Sequence, residues 1–201
     1  MEHTLASTIG VVLYDDAEEL DFVGPWEVFT MGGEVGGRDR VLAIAERMEP
    51  VRARKGLRVL PDHTFADAPP LDVVVVPGGQ GSRRERKNPV LLEWLRAIAP
   101  TCRWVTSVCS GALILQAAGL LAGRRATTHA SVIEALRAGG DVTVLERIRY
   151  VRDGNVVTAA GVSAGIDMAL WLSGQLHSPA FAREVQRLME YDPAPPYAAE
   201  V

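Results

Sequence analysis

Cysteine is scarce in this chain. Of 201 residues only Cys102 and Cys109 are cysteine. Two thiols without metal-ligand spacing neither build a disulfide scaffold nor suggest a zinc site, so a reducing cytoplasm is the expected setting. Long apolar runs are also missing, which excludes a membrane span. The opening MEHTLAST lacks the basic n-region and apolar core of a secretory signal. Basic blocks are absent and the net charge is −4, so nucleic acid is not an expected partner. A Walker loop, a G-x-G-x-x-G and a His/Cys/Asp cluster are all lacking, so neither cofactor nor metal is expected. Internal repeats and low-complexity linkers are absent too. Residues 1–201 therefore read as a single domain, and the Pro-rich stretch from Asp192 to Tyr197 reads as an extended end. With 48% hydrophobic residues, the chain is large enough to bury a core.

What is present is an alternation of strands and helices. Ser7 to Tyr14, Val41 to Ala45, Leu71 to Val76 and Cys102 to Val108 are short runs rich in Val and Ile, as expected for strands covered on both faces. Between them lie helical stretches. One follows Asp21, buries Phe22, Trp26 and Phe29, and ends at Gly32-Gly33. Another starts with Asn88 as cap and Pro89 at its first position. "SGALILQAAGLLAG" is expected to be helical up to Gly123, and "SVIEALRAGG", "SAGIDMALWLSGQL" and "SPAFAREVQRLMEY" are further helices, the last capped by Ser178. Val51 to Leu60 reads as an exposed hairpin or edge. Asp153-Gly154 marks a hairpin turn. This order predicts an α/β fold with a mainly parallel sheet and helices on both faces. Ligands of such sheets bind at the C-terminal strand ends. Asp21, Pro77-Gly78-Gly79 and Cys109 all follow strands and are expected to converge there.

"WVTSVCSGALIL" puts Cys109 at the joint of a strand and a helix, followed by the small residues Ser110 and Gly111. That is the pattern of a nucleophile elbow. Amide groups at the helix start favour thiolate over thiol, and the amides of Gly78 and Gly79 are candidates for holding substrate charge. The competing reading is an inert buried thiol, since free cysteine is among the most buried residues. Asp21 is either a helix cap or a carboxyl near Cys109 with a raised pKa, able to hand over a proton. His129 in "ATTHAS" is either structural or part of a substrate pocket. Cys102, at a strand start, is structural.

The blocks "GVVLYDDAEELDFVGPWEVF", "LDVVVVPGGQG", "VTSVCSGALILQAAGLLAGRRATTH", "VRDGNVVTAAGVSAGID" and "VQRLMEYDPAPPY" together resemble the ThiJ/PfpI superfamily, from about Ile9 to Tyr197. The resemblance implies a flavodoxin-like three-layer sandwich related to class I glutamine amidotransferases. Leu20-Asp21, Gly24-Pro25, "VTSVC", "RATTH" and the end from Glu190 to Tyr197 are most similar to isocyanide hydratases. That likeness implies Cys109 as nucleophile, Asp21 as its acidic partner, Ser110 as an adjoining hydroxyl, a small-molecule substrate, and a homodimer with the active site near the subunit interface. Two positions depart from the pattern. Ser110 stands where hydratases usually carry Thr, and Ala130 where they tend to carry an aromatic. Protease-type members place His directly after the cysteine, and Ser110 replaces it here, so peptidase activity is disfavoured. The implied reaction is hydration of an isocyanide to an N-formamide through a Cys109 thioimidate. A glyoxalase or deglycase chemistry at the same cysteine, or a cysteine-based redox sensor, are the alternatives.

Overall fold

A computed structural model of the chain describes residues 6–193; the expected extended stretch ending at Tyr197 runs outside them. The central sheet has seven strands. β1 (Thr8–Val12), β2 (Arg40–Ala45), β6 (Val73–Val76), β7 (Trp104–Val108) and β11 (Val156–Ala159) are its core, with β5 (His63–Thr64) and β10 (Tyr150–Asp153) at the edges. The order is β10-β11-β7-β6-β1-β2-β5, and only β10 runs antiparallel. The antiparallel β10–β11 pair is the hairpin that Asp153-Gly154 signals. β3 (Val51–Arg52) and β4 (Arg58–Val59) form the expected small hairpin.

The strands are apolar because they are covered on both faces. All four valines of β6 are 0% exposed, each worth roughly 1.5–3 kcal/mol of burial. On one face pack α1 (Glu19–Met31), α6 (Ala164–Leu176) and α7 (Pro179–Leu188); on the other pack α3 (Pro89–Ile98), α4 (Gly111–Ala117) and α5 (Ile133–Ala138). The result is the flavodoxin-like α/β three-layer sandwich. The Asn88 side chain accepts the N–H of Val90 at 3.0 Å and Ser178 that of Phe181 at 3.1 Å, so both predicted caps are in place.

Some boundaries differ from expectation. Asp21 does not cap α1: it lies inside the first turn, after Glu18, and its carboxyl points elsewhere. Trp26 is only half-buried, unlike Phe22 and Phe29. α4 stops at Ala117 rather than Gly123. The Arg96 guanidinium from α3 donates to the carbonyls of Ala117 and Ala118, each at 3.1 Å, which satisfies the helix end early. The short strand expected before His129 is β8 (Arg124–Ala126), which pairs in parallel with β9 (Val142–Val144); β9 and the one-turn helix α2 (Ser82–Glu85) have no clear sequence signal.

Candidate active site

Cys109 sits between β7 and α4 with φ +57°, in the left-handed region that a non-glycine residue rarely occupies. Local strain of this kind, of order 1–3 kcal/mol, persists only where the surroundings enforce it. Here the Cys109 N–H donates to the carbonyls of Ala159 and Ala160 at 3.1 and 2.9 Å, and the Thr128 hydroxyl donates to the Cys109 carbonyl at 2.7 Å. The elbow also needs Gly111. A Cβ there would lie 2.2 Å from the Val76 carbonyl oxygen.

Asp21 meets Cys109 at the same strand ends. The first turn of α1 delivers its carboxyl, fully buried, against the thiol. Oδ2 accepts the N–H of Gly78 at 2.9 Å, while Oδ1 is buried without a well-formed hydrogen bond, the Cys109 thiol and the Val162 N–H being the groups that face the carboxyl. Burial pushes the carboxyl up to about 7, although the Gly78 bond and the facing thiol pull the other way. Burial, then the Asp21 charge, pushes the Cys109 thiol up to about 11; the N–H groups of Ser110 and Val162 oppose the rise. The expected thiolate-favouring helix end is therefore outweighed. α4 has only seven residues, and two individual N–H groups cannot offset desolvation of the sulfur. Between pH 7 and pH 11 the pair carries one negative charge and one proton, a coupled titration belonging to both groups.

The glycine amides have a different role from the one expected. Both are spent inside the site: Gly78 N–H on Asp21, and Gly79 N–H on the Ser110 hydroxyl at 3.1 Å. They fix the machinery and are not free to bind substrate charge. A Cβ at Gly78 would fall 2.5 Å from the Ser110 nitrogen and 2.9 Å from Cys109 Cβ, so glycine is what lets the turn press against the elbow. Ser110 is buried, with its hydroxyl among Gly79 and Ser82. His129 caps a 3-10 turn: its Nδ1 accepts the Ser131 N–H at 3.1 Å. Its ring lies over Gly161 and lines a cavity of about 520 Å³ with Thr128, Ile133, Ile148 and Arg147. Thr128 and Ala160, which border that cavity, both bond the Cys109 backbone, but Cys109 itself does not line it. Cys102 is buried at the other end of β7, as expected of a packing residue.

Three further residues belong to the site. The Tyr14 hydroxyl donates toward the carbonyls of Pro77 at 2.5 Å and Gly78 at 3.0 Å, anchoring the turn; burial and the Asp21 charge raise its pKa well above the ordinary value. Val162, at φ +47°, is a β-branched residue in a conformation such residues avoid. Its N–H faces both Asp21 and Cys109. Ser82 is fully buried behind Ser110. A lone serine, valine or tyrosine outside any motif gives no pattern, so only the assembled geometry reveals them.

The class is thus a flavodoxin-like α/β protein with an acid–thiol pair on a strained strand-to-helix elbow. The DJ-1/PfpI family pattern matches residues 7–175, and the chain belongs to that family. It is 41% identical to an isonitrile hydratase of Pseudomonas putida over 96% of this chain and 82% of that one. It is 28% identical to the glutathione-independent glyoxalase DJR-1.2 of Caenorhabditis elegans over 82% of this chain and 86% of that one. A ThiJ/PfpI family protein from Pseudomonas syringae superposes with a TM-score of 0.90 at 34% identity, covering 98% of this chain and 80% of that structure. Among the described residues no group of side chains is arranged to hold a metal, and no helix is long and apolar enough to cross a membrane.

Proposed function

We propose that this chain, acting as one cytoplasmic domain, hydrates isocyanides to N-substituted formamides, with Cys109 as nucleophile, Asp21 as acid–base and Ser110 as hydrogen-bond donor. The observation that supports it is the buried Asp21 carboxyl facing the Cys109 thiol, with Oδ2 locked on Gly78 and Oδ1 without a well-formed hydrogen bond. A proton moved from sulfur to Oδ1 leaves a thiolate opposite a carboxylic acid. In R–N≡C the terminal carbon accepts both groups. Sulfur forms the C–S bond while Asp21 gives its proton to the same carbon, leaving the thioimidate R–N=CH–S and an Asp21 carboxylate. The nitrogen gains a lone pair only in this step, so a Ser110 hydrogen bond to it strengthens as the reaction proceeds, which is what accelerates a step. Asp21 then takes a proton from water as its oxygen attacks carbon, and that proton passes to nitrogen. Collapse of R–NH–CH(OH)–S breaks the C–S bond, returns the hydroxyl proton to Asp21 and releases R–NH–CHO. Splitting one addition into two steps is the gain of covalent catalysis. The cavity beside His129 and Ala130 is the substrate's R-group pocket in this reading.

The glyoxalase relative gives a second reading some support, since the same thiolate can add to an aldehyde as a hemithioacetal. The two separate in one assay: formamide formation from p-nitrophenyl isocyanide against glyoxal consumption, for the natural chain and Cys109→Ala. Formamide formation lost in Cys109→Ala, with fold retained, is the expected result; full activity in that variant sinks the proposal. Oxidation of Cys109 without turnover of either compound would favour a redox sensor. The exposed Leu20 and Val23 of α1 and Leu57 beside β4 are apolar surface that a second copy would cover, in keeping with a homodimer.

A further inference from the structure

We infer that Ser82 is a positioning residue that, by donating into the Ser110 hydroxyl, strengthens the hydrogen bond Ser110 gives the substrate, an inference that rests on the hydration reading above. Ser82 is 0% exposed. Its Oγ lies 2.8 Å from Ser110 Oγ and 2.8 Å from the Gly79 carbonyl oxygen. Ser110 Oγ in turn accepts the Gly79 N–H at 3.1 Å and stands 3.2 Å from the Gly79 oxygen. A hydroxyl has one proton and two acceptor sites. The Gly79 N–H can only donate, so it fills one Ser110 acceptor site in every state. The remaining two protons have two closed arrangements. In the first, Ser110 donates to Ser82 and Ser82 to the Gly79 oxygen, along the two 2.8 Å contacts. In the second, Ser82 donates to Ser110, whose own proton is left with the 3.2 Å contact to the Gly79 oxygen.

The shorter contacts make the first arrangement the resting one, and in it the Ser110 proton is consumed internally. The second presents a hydroxyl with both acceptor sites filled and only a long, weak acceptor for its proton. A substrate nitrogen acquiring a lone pair outcompetes that acceptor. Donation into a hydroxyl also polarises it, strengthening its own outgoing bond. Switching between the two needs rotation about two C–O bonds and no heavy-atom movement, so the buried elbow is undisturbed. Ser82 is what polarises Ser110 in the second arrangement. Without its hydroxyl, Ser110 keeps an empty acceptor site, and the bond it gives the substrate nitrogen loses that reinforcement. Ser110 itself has less rotamer restriction than a β-branched residue, which makes an external fix more consequential.

The test is p-nitrophenyl isocyanide hydration by Ser82→Ala, Ser82→Thr, Ser110→Ala and Ser82→Ala/Ser110→Ala, alongside Cys109 alkylation by iodoacetamide, which needs no donor to a substrate nitrogen. Ser82→Ala is expected to lower kcat about tenfold, the effect of one hydrogen bond lost from a buried circuit. KM and the alkylation rate should stay within about twofold. Ser82→Thr, which keeps the hydroxyl, should recover most of kcat, and the double variant should be no slower than Ser110→Ala. Ser82→Ala with unchanged kcat overturns the inference, as does alkylation falling in step with kcat, or losses that multiply in the double variant. A natural chain that forms no formamide overturns the hydration reading and this inference with it; an active chain indifferent to Ser82→Ala overturns the inference alone.

Discussion

Asp21→Asn should stabilise the protein while silencing it. The natural carboxyl is fully buried and its pKa is raised from 3.8 to about 7. Asparagine has the same shape. Its carbonyl can accept the Gly78 N–H, and its amide can face the sulfur, but it cannot ionise or move a proton. A carboxyl raised above its unfolded value adds stability that is complete below pH 4 and is lost as pH rises through 7. Ionising it in the folded state at about 7 instead of 3.8 costs about 4 kcal/mol. The variant escapes that cost. Its advantage should be near its baseline below pH 4, grow between pH 4 and pH 7, and level off above. For a chain of this length, 1 kcal/mol is roughly 2–4 °C in Tm, so the gain at pH 8 approaches about 10 °C. Thermal and urea unfolding of both proteins at pH 4, 6 and 8 measures it. A stability difference that stays flat from pH 4 to pH 8, or a variant that loses stability as pH rises, refutes the claim that Asp21 is a buried carboxyl held against ionisation.

The thiol's alkylation rate with iodoacetamide should still be climbing through pH 10, and Asp21→Asn should shift that profile to lower pH, because the Asp21 carboxylate repels a second negative charge on the sulfur. An unshifted profile would mean that the two groups do not sense each other. Gly111→Ala should cost at least about 3 kcal/mol in unfolding, since its Cβ would meet the backbone oxygens of Val76 and Pro77 at 2.2 and 2.7 Å; a neutral substitution would show that the elbow is not tight. His177 and Asp39 form a buried pair at 2.6 Å near the N-terminal strand ends, away from the elbow. His177→Ala should lower stability by about 3 kcal/mol and leave kcat/KM unchanged; loss of turnover at full stability would contradict that separation.

Local chemistry made most of the fold readable. The valine runs of β6 and β7 declared buried parallel strands, and Asn88-Pro89 and Ser178-Pro179 declared helix starts. What stayed hidden depends on partners distant in sequence. α4 ends where it does because Arg96, twenty-odd residues earlier, takes its last carbonyls. β5 has two residues and forms only because β2 offers an edge. The same division runs through the site. Cys109 and Asp21 were visible because their neighbours have an unusual pattern. The glycine amides were placed in the right turn, but their engagement with Asp21 and Ser110 could be seen only once the elements were assembled. Desolvation of the sulfur is likewise a property of the packed interior, and it reverses the expectation drawn from the helix start alone.

The central claim is that Cys109 sulfur bonds to the isocyanide carbon. Rapid mixing with p-nitrophenyl isocyanide, acid quenching and intact-mass analysis reads this directly. A transient mass increase equal to one isocyanide is expected, located on Cys109, absent in Cys109→Ala and decaying as formamide appears. Formamide produced with no adduct at any mixing time, or an adduct carried by Cys102, would contradict it.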